Sequence, residues 1–189
     1  LNLEGTACEV VVAADTRPGQ AERARDWKIP EFTTDPMAVI ERADIDAVLI
    51  LTAMQAHGGL TRAALKAGKH VLVEKPMSMD LAEAAELVEL ARVSPGHLVC
   101  APHVTLSWTY QEMWRRIHGG QIGRPVLARG LYGWAGPNWG PWFYQPGGGP
   151  TFDLGVYNVT TLTGLLGPCK RVTAMRSEEH TSELQSRQY

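Results

Sequence analysis

Apolar residues in the first hundred positions fall into short, nearly continuous runs that alternate with segments of helical spacing. Runs rich in β-branched residues predict strands at 9–15, 47–52, 70–74 and 98–101. Segments in which apolar residues recur every three or four positions predict helices at 18–27 and 58–67 and from Asp80 onward. This alternation is typical of a parallel sheet covered by helices on both faces. We therefore expect an α/β, doubly wound, Rossmann-like sheet over residues 1–101.

The pattern changes after about residue 102, where aromatic residues, glycine and proline become frequent. The spacing predicts, in order, a helix, a strand, a long loop, a second helix and the start of another strand, at 107–122, 125–132, 134–150, 151–166 and 171–175. Loops as long as this one are usually functional, although a loop packed on the surface is an alternative. Residues 102–175 therefore read as the beginning of an α+β domain.

The last segment, residues 176–189, is polar and has no hydrophobic period. It resembles the translation of a sequencing-library adapter, and we expect it to be a non-native tail. A natural exposed C-terminal tail is the alternative.

Composition excludes several classes of function. The formal net charge is −2 and no basic stripe is visible, which argues against a nucleic-acid partner. We find neither an apolar run long enough to span a membrane nor a signal peptide. The three cysteines are far apart and the six histidines are dispersed, so we expect no disulfide framework, no metal and a cytoplasmic location.

The strongest local signal is the run from Gly68 to Pro76, in which an apolar strand delivers Glu74 and Lys75 to its carboxyl end. Open α/β sheets bind their ligands at that edge. The string AGKHVLVEKP, at residues 67–76, resembles the hallmark of the glucose-fructose oxidoreductase/inositol dehydrogenase/MocA (Gfo/Idh/MocA) family of NAD(P)-dependent oxidoreductases. The resemblance covers about residues 1–175 and implies a partial dinucleotide-binding domain followed by part of a substrate domain.

The resemblance also implies a cofactor, NAD or NADP. The family's first strand and Gly-rich turn would precede residue 1, so we expect the chain itself to bind cofactor weakly and to be inactive. Asp15 stands where such folds place the acid that accepts hydrogen bonds from the ribose, which favours NAD, and Thr16 and Arg17 follow it. Arg17 keeps NADP open, since a guanidinium could cover a 2′-phosphate. Alternatively, Asp15 is simply a turn or capping residue.

A second cofactor contact is implied after the next predicted strand. The family commonly reads Thr-Pro-Asn-x-x-His there, and this chain keeps Thr52 and His57 but has Ala53 and Met54 instead of the Pro and Asn. His57 is a cofactor-binding candidate, with a packing role at the start of its helix as the alternative. Glu74, Lys75 and Pro76 complete the expected cofactor contacts, and the resemblance implies a cis peptide bond before Pro76.

For catalysis, the resemblance implies that Lys75 binds substrate or transfers a proton. The family's Asp-x-Gly-x-His pattern matches Asp153 and Gly155, whereas Tyr157 replaces the His. Residues four apart share a helical face, so Asp153 and Tyr157 can enter one cleft. We expect Tyr157 to donate or relay a proton with Lys75 and Asp153 to orient a substrate hydroxyl. A capping role for Asp153 and a packing role for Tyr157 are the alternatives.

The remaining expectations concern substrate and partners. The loop tryptophans Trp139 and Trp142 are candidates for stacking on a sugar ring, and Asn158 and Thr161 are weaker contact candidates. The implied activity is hydride transfer between nicotinamide and a sugar, polyol or related cyclic alcohol, in an intact parent that forms homo-oligomers. Two alternatives stay open: a lyase or glycosidase that uses NAD with no net redox change, and a non-catalytic nucleotide-binding subunit.

Overall fold

The computed structural model describes residues 7–133, 136–138, 141–144 and 148–175, apart from the side chains of residues 141 and 142. Its strands are β1 (Val12–Ala14), β2 (Glu31–Thr33), β3 (Ala47–Ile50), β4 (His70–Val73) and β5 (Leu98–Cys100). Every pairing between them is parallel. β1 pairs with β2, and β4 lies between β3 and β5, so the described strands form one sheet of two strands and one of three.

Within the described residues, six α-helices connect and follow the strands: α1 (Gln20–Asp26), α2 (Pro36–Ile40), α3 (His57–Lys66), α4 (Leu81–Val93), α5 (Trp108–His118) and α6 (Val156–Leu166). The expected Rossmann-like alternation is confirmed. Local signals set the helix ends. Asp80 accepts a hydrogen bond from the backbone of Glu83 at the start of α4, and Gly68 adopts a φ of 76° just after α3, as glycine does in helix C-caps.

The core of the sheet lies on one face of β3, β4 and β5. Ile50, Val71 and Val73 point to that face because side chains alternate along a strand. They pack with Ala64 and Leu65 of α3, and α4 closes the cluster. On the opposite face Leu49 and Val99 remain nearly half exposed. Packing on this face therefore holds the carboxyl ends of β3 and β4 in place, and the candidate site lies at these ends.

The structure contains one strand and one helix that the sequence pattern does not predict. These are β2 and α2, which lie within residues 28–46. The signal for α2 is visible in the sequence, because Asp35 caps the helix by accepting from the backbone N–H of Met37 and Pro36 occupies its first turn. β2 reads Glu-Phe-Thr, with one apolar residue, so it forms no apolar run of the kind that predicted the other strands.

The second part of the chain differs from expectation in two respects. The predicted strand at 125–132 is wrong for this structure, and the start of a strand at 171–175 is not formed either. A strand needs a neighbour for its backbone hydrogen bonds, and no described residue supplies one. The predicted helix at 151–166 forms, but it opens with a π-helical turn, Thr151–Gly155, before α6. None of the helices in the described ranges is long and apolar enough to cross a membrane.

We expect two glycine substitutions to shift stability in opposite directions. A Cβ at Gly96 would lie 1.9 Å from the backbone oxygen of Lys69, so Gly96→Ala should lower the free energy of unfolding by about 2 kcal/mol or more. Gly59 lies in the first turn of α3 with nothing within 4 Å of the added Cβ. Gly59→Ala should raise the free energy of unfolding by roughly 0.5–1 kcal/mol. Urea unfolding of both variants checks this, and equal effects would contradict it.

Candidate active site

The carboxyl end of β4 places Glu74, Lys75 and Pro76 at the edge of the three-stranded sheet. The backbone N–H of Glu74 still donates to the carbonyl of Ile50 on β3, at 2.9 Å, so the ladder holds up to this residue. The Glu74 carboxylate then turns back and accepts from the backbone N–H of Lys75, at 2.9 Å. The Lys75–Pro76 peptide bond is cis, as the resemblance implies. This turn directs the Lys75 side chain away from the strand.

Lys75 reaches across to the second part of the chain. Its ammonium donates to the backbone carbonyl of Asp153 at 2.6 Å and forms an ion pair with the Asp153 carboxylate. The same nitrogen lies 5.1 Å from the centroid of the Tyr157 ring, within the range of a cation–π contact. The side chains of Lys75 and Asp153 are 11% and 19% exposed. The structure thus brings the three expected catalytic residues together in a largely desolvated place.

The π-helical turn before α6 is what presents Asp153. Asp153 lies inside this turn and Tyr157 lies in the first turn of α6. The backbone N–H of Asp153 donates to the carbonyl of Gly149, which fixes the start of the turn. A π-helical turn widens the backbone locally and is found often at functional sites. Both side chains face Lys75, in accord with the shared helical face inferred from their spacing.

His57 and Thr52 form a second group beside Pro76. His57 begins α3 and is only 1% exposed. Its Nδ1 atom lies 2.7 Å from the carbonyl oxygen of Pro76, and its Nε2 atom lies 3.0 Å from the carbonyl oxygen of Thr52. Protein carbonyls therefore occupy both ring nitrogens, which corresponds to the packing alternative for this side chain. Thr52 itself is exposed, at the end of β3.

Asp15, Thr16 and Arg17 form a third group, after β1. Arg17 donates through Nε and Nη2 to the two carboxylate oxygens of Asp15, at 3.0 and 2.8 Å, and through its backbone N–H at 2.9 Å. The side-chain hydrogen bond from Arg17 lowers the pKa of Asp15, against a smaller opposing effect of burial. Thr16 is exposed, and so is most of the Arg17 side chain. Asp15 is thus an ionised carboxylate already paired with a cation.

A polar cluster behind the Lys75 turn was not anticipated. The Ser78 hydroxyl donates to the Glu83 carboxylate and accepts from the backbone N–H of Asp80. Glu83 also accepts from Arg62 of α3, at 3.0 Å. The hydrogen bond from Ser78 is the main cause that lowers the pKa of Glu83. The capping-box spacing of Asp80 and Glu83 was the available signal, but the Glu83 carboxylate is directed to Ser78 and Arg62.

Cys100 ends β5 at the same edge of the sheet. Burial, and after it the charge of Glu74, raises the pKa of the Cys100 thiol to about 11. At neutral pH the group is a thiol, and a thiol is a poor nucleophile compared with a thiolate. Cys100 is therefore a packing residue of this edge.

The two tryptophans expected to stack on a sugar ring are Trp139 and Trp142. Trp139 and the side chain of Trp142 lie outside the part of the chain that the structure describes. Asn158 is described, and its side chain lies against the backbone of Gly130. Within the described ranges no three His, Cys, Asp or Glu side chains are placed to hold a metal ion.

Comparison with known proteins matches both parts of the chain. A family model described as "Oxidoreductase family, NAD-binding Rossmann fold" matches residues 1–99, and one described as "GFO/IDH/MocA C-terminal domain" matches residues 110–186. The second match runs into the segment expected to be a non-native tail. That segment lies outside the described residues, so its origin stays a prediction.

Two of the curated relatives are named as a sugar reductase and an inositol dehydrogenase. The chain is 32% identical to 1,5-anhydro-D-fructose reductase of Ensifer adhaerens over 87% of its own length and 51% of the relative. It is also 32% identical to scyllo-inositol 2-dehydrogenase (NAD(+)) of Bacillus subtilis strain 168, over 65% of its own length and 36% of the relative. The chain thus spans about half the length, or less, of these relatives.

A solved structure of levoglucosan dehydrogenase, in complex with NADH and levoglucosan, superposes with a TM-score of 0.69. The two chains are 28% identical, over 82% of this chain and 45% of that one. The two matched parts therefore follow one another in this chain as in a protein of known fold.

We expect Arg17→Ala to raise the pKa of Asp15, because the variant loses the hydrogen bond that favours the ionised carboxylate. The pKa is depressed in the folded chain, so this carboxylate stabilises the fold above its unfolded pKa, and the stabilisation is lost as the pH falls through the folded pKa. Carboxyl carbon shifts of Asp15, followed by NMR during a pH titration, measure the change. Arg25→Ala, an exposed arginine of α1, is the control. An unchanged Asp15 titration in Arg17→Ala would contradict the assignment.

Proposed function

The chain belongs to the Gfo/Idh/MocA family of oxidoreductases, and on that premise we propose that the protein containing it transfers hydride between a nicotinamide cofactor and a sugar, polyol or related cyclic alcohol. One observation carries the proposal. The ammonium of Lys75, at the ligand-binding edge of the sheet, contacts Asp153 and the ring of Tyr157 from the second part of the chain. Lys75 and Tyr157 can transfer the proton of an alcohol, and Asp153 can accept a hydrogen bond from its hydroxyl.

The residues present fit a nicotinamide cofactor. Asp15 offers a carboxylate after β1, suited to ribose hydroxyls, and the exposed turn at Thr52 follows β3. Glu74, Lys75 and Pro76 follow β4 at the same kind of strand end. When bound there, the cofactor would supply the hydride acceptor or donor. Because Arg17 already pairs with both oxygens of Asp15, a ribose has to compete with Arg17 for the carboxylate, and a 2′-phosphate has to compete with Asp15 for the exposed guanidinium.

The chain's own residues supply the acid–base chemistry. An alcohol loses hydride only as its hydroxyl proton is removed, so a group able to accept or pass on that proton must lie beside it. The Lys75 ammonium carries three donor hydrogens, and the hydrogen bonds that this ammonium makes to described residues both go to Asp153. The Asp153 carboxylate holds the ammonium in place and can accept from a neighbouring substrate hydroxyl. In the reduction direction the Lys75 ammonium can give a proton to the developing alkoxide, directly or through the phenol of Tyr157, whose ring lies against the same nitrogen. In the oxidation direction the neutral Lys75 amine takes the proton of the hydroxyl along the same route.

The substrate class follows the chemistry of the site and of the relatives. A carboxylate, a phenol and an ammonium are the groups that recognise several neighbouring hydroxyls. The relatives are named for an anhydrohexose, an inositol and levoglucosan, which are cyclic and carry several oxygens. From the chemistry of the site and the names of these relatives, we propose that the substrate is a cyclic polyhydroxylated small molecule.

We expect Lys75→Ala in the full-length protein to lower kcat by about 10³-fold, within the range that acid–base groups contribute. Cofactor affinity should change little, because Lys75 directs its ammonium at Asp153. The measurement is accumulation of reduced nicotinamide with inositols and anhydrosugars, together with fluorescence titration of the cofactor. Lys66→Ala, which removes an exposed lysine at the end of α3, is the matched control.

Two results would count against the proposal. Turnover by Lys75→Ala at the wild-type rate would remove Lys75 from the chemistry. Consumption of substrate by the wild type with no stoichiometric reduced nicotinamide would mean that the cofactor is used only transiently, and the proposed net redox reaction would be wrong.

A further inference from the structure

His57 is the residue that joins the two turns flanking the candidate site. Its ring nitrogens face the carbonyl oxygens of Pro76 and Thr52, at 2.7 and 3.0 Å. Pro76 lies in the turn after β4 and Thr52 in the turn after β3. One buried side chain on α3 thus connects the ends of two adjacent parallel strands with the start of a helix.

We infer that His57 is a positioning residue, which holds the Lys75–Pro76 turn through the Pro76 carbonyl and so keeps the Lys75 ammonium against Asp153. This role concerns the same site as the proposed function, and its test by kcat and KM rests on that function. His57 itself acts through Lys75 and touches no reacting atom.

The number of N–H groups on the ring determines how many of the two carbonyl contacts can be hydrogen bonds. A neutral imidazole has one N–H, so it can donate to only one of two carbonyl oxygens, whereas an imidazolium donates to both. For the neutral ring we assign the hydrogen to Nδ1, because its contact with Pro76 is the shorter of the two. In either protonation state the Pro76 bond is therefore made, and a neutral ring leaves the Thr52 carbonyl without this donor.

The position of Pro76 controls the position of Lys75 because the two residues are adjacent. Lys75 extends from this turn to Asp153, 78 residues further along the chain, and its contact with Asp153 is short. A displacement of about 1 Å in such an arrangement can cost about 100-fold in rate. A part-buried carbonyl left without its donor would also favour rearrangement of the turn. The His57 ring is therefore placed to affect the position of the Lys75 ammonium without contacting Asp153 or Tyr157.

Two substitutions separate the two contacts of the ring. The amide nitrogen of Asn falls near the place of Nδ1, so His57→Asn can retain the bond to Pro76. The amide nitrogen of Gln falls near the place of Nε2, so His57→Gln can retain the bond to Thr52 and loses the one to Pro76. Thr61→Val is the control: Thr61 lies one helical turn along α3, is fully buried, and its hydroxyl has no hydrogen-bond partner among the described residues.

In the full-length protein, His57→Gln should lower kcat by about 100-fold while the KM for cofactor stays within about threefold. His57→Asn should keep kcat within about tenfold of the wild type, and Thr61→Val should match the wild type. Wild-type turnover by His57→Gln would overturn the inference, and so would equal losses in the Asn and Gln variants. A loss confined to the KM for cofactor would also overturn it, because His57 would then bind the cofactor directly.

Hydrogen–deuterium exchange tests the same idea without catalysis. Peptides covering residues 74–80 should exchange faster in His57→Gln, by about tenfold, and near the wild-type rate in His57→Asn and Thr61→Val. If the wild type oxidises no cyclic alcohol, the proposed function fails and the exchange data alone decide the positioning role. If His57→Gln does not fold, His57→Asn carries the test, since it must retain wild-type exchange at 74–80. Fast exchange in His57→Asn would overturn the inference.

Discussion

A single charged contact, from the Lys75 ammonium to Asp153, ties the two parts of this chain into one site. The two residues are 78 positions apart, and each is largely withdrawn from water. A buried ammonium is tolerated only when its charge and its donors are matched. The carboxylate and the backbone carbonyl of Asp153 provide both. The sheet edge and the helix after residue 150 therefore have to meet at one place, which is the place of the candidate site.

The contrast with the chain's surface ion pairs shows why this contact differs. Arg42 pairs with Glu31 and Asp44, whose side chains are more than half exposed, and such pairs contribute little because water already solvates their charges. Around Lys75 the surroundings are drier, and the π-helical turn that presents Asp153 departs from regular geometry. Irregular backbone of this kind is retained where a side chain must be aimed.

Sequence reasoning recovered the parts of the structure that depend on local pattern. The alternation of apolar runs and helical spacing gave β3, β4, α3 and α4, and the run ending at Lys75 gave the site edge. Two kinds of feature escaped it. The partners of His57 are carbonyls of the backbone, which the residue type of a neighbour does not reveal. The strand expected at 125–132 depends on hydrogen bonds from a neighbouring strand that no described segment provides, and periodicity cannot report whether such a neighbour exists.

The unpaired segment at 125–132 bears on how the chain behaves at high concentration. Val126, Leu127 and Leu131 are at least 80% exposed, and their backbone pairs with no strand among the residues that the structure describes. Apolar segments with open backbone groups recruit copies of themselves into intermolecular sheets. Pro125 and Arg129 interrupt the run, as gatekeeper residues do in natural sequences. Pro125 and Arg129 are thus placed to limit self-association of this segment.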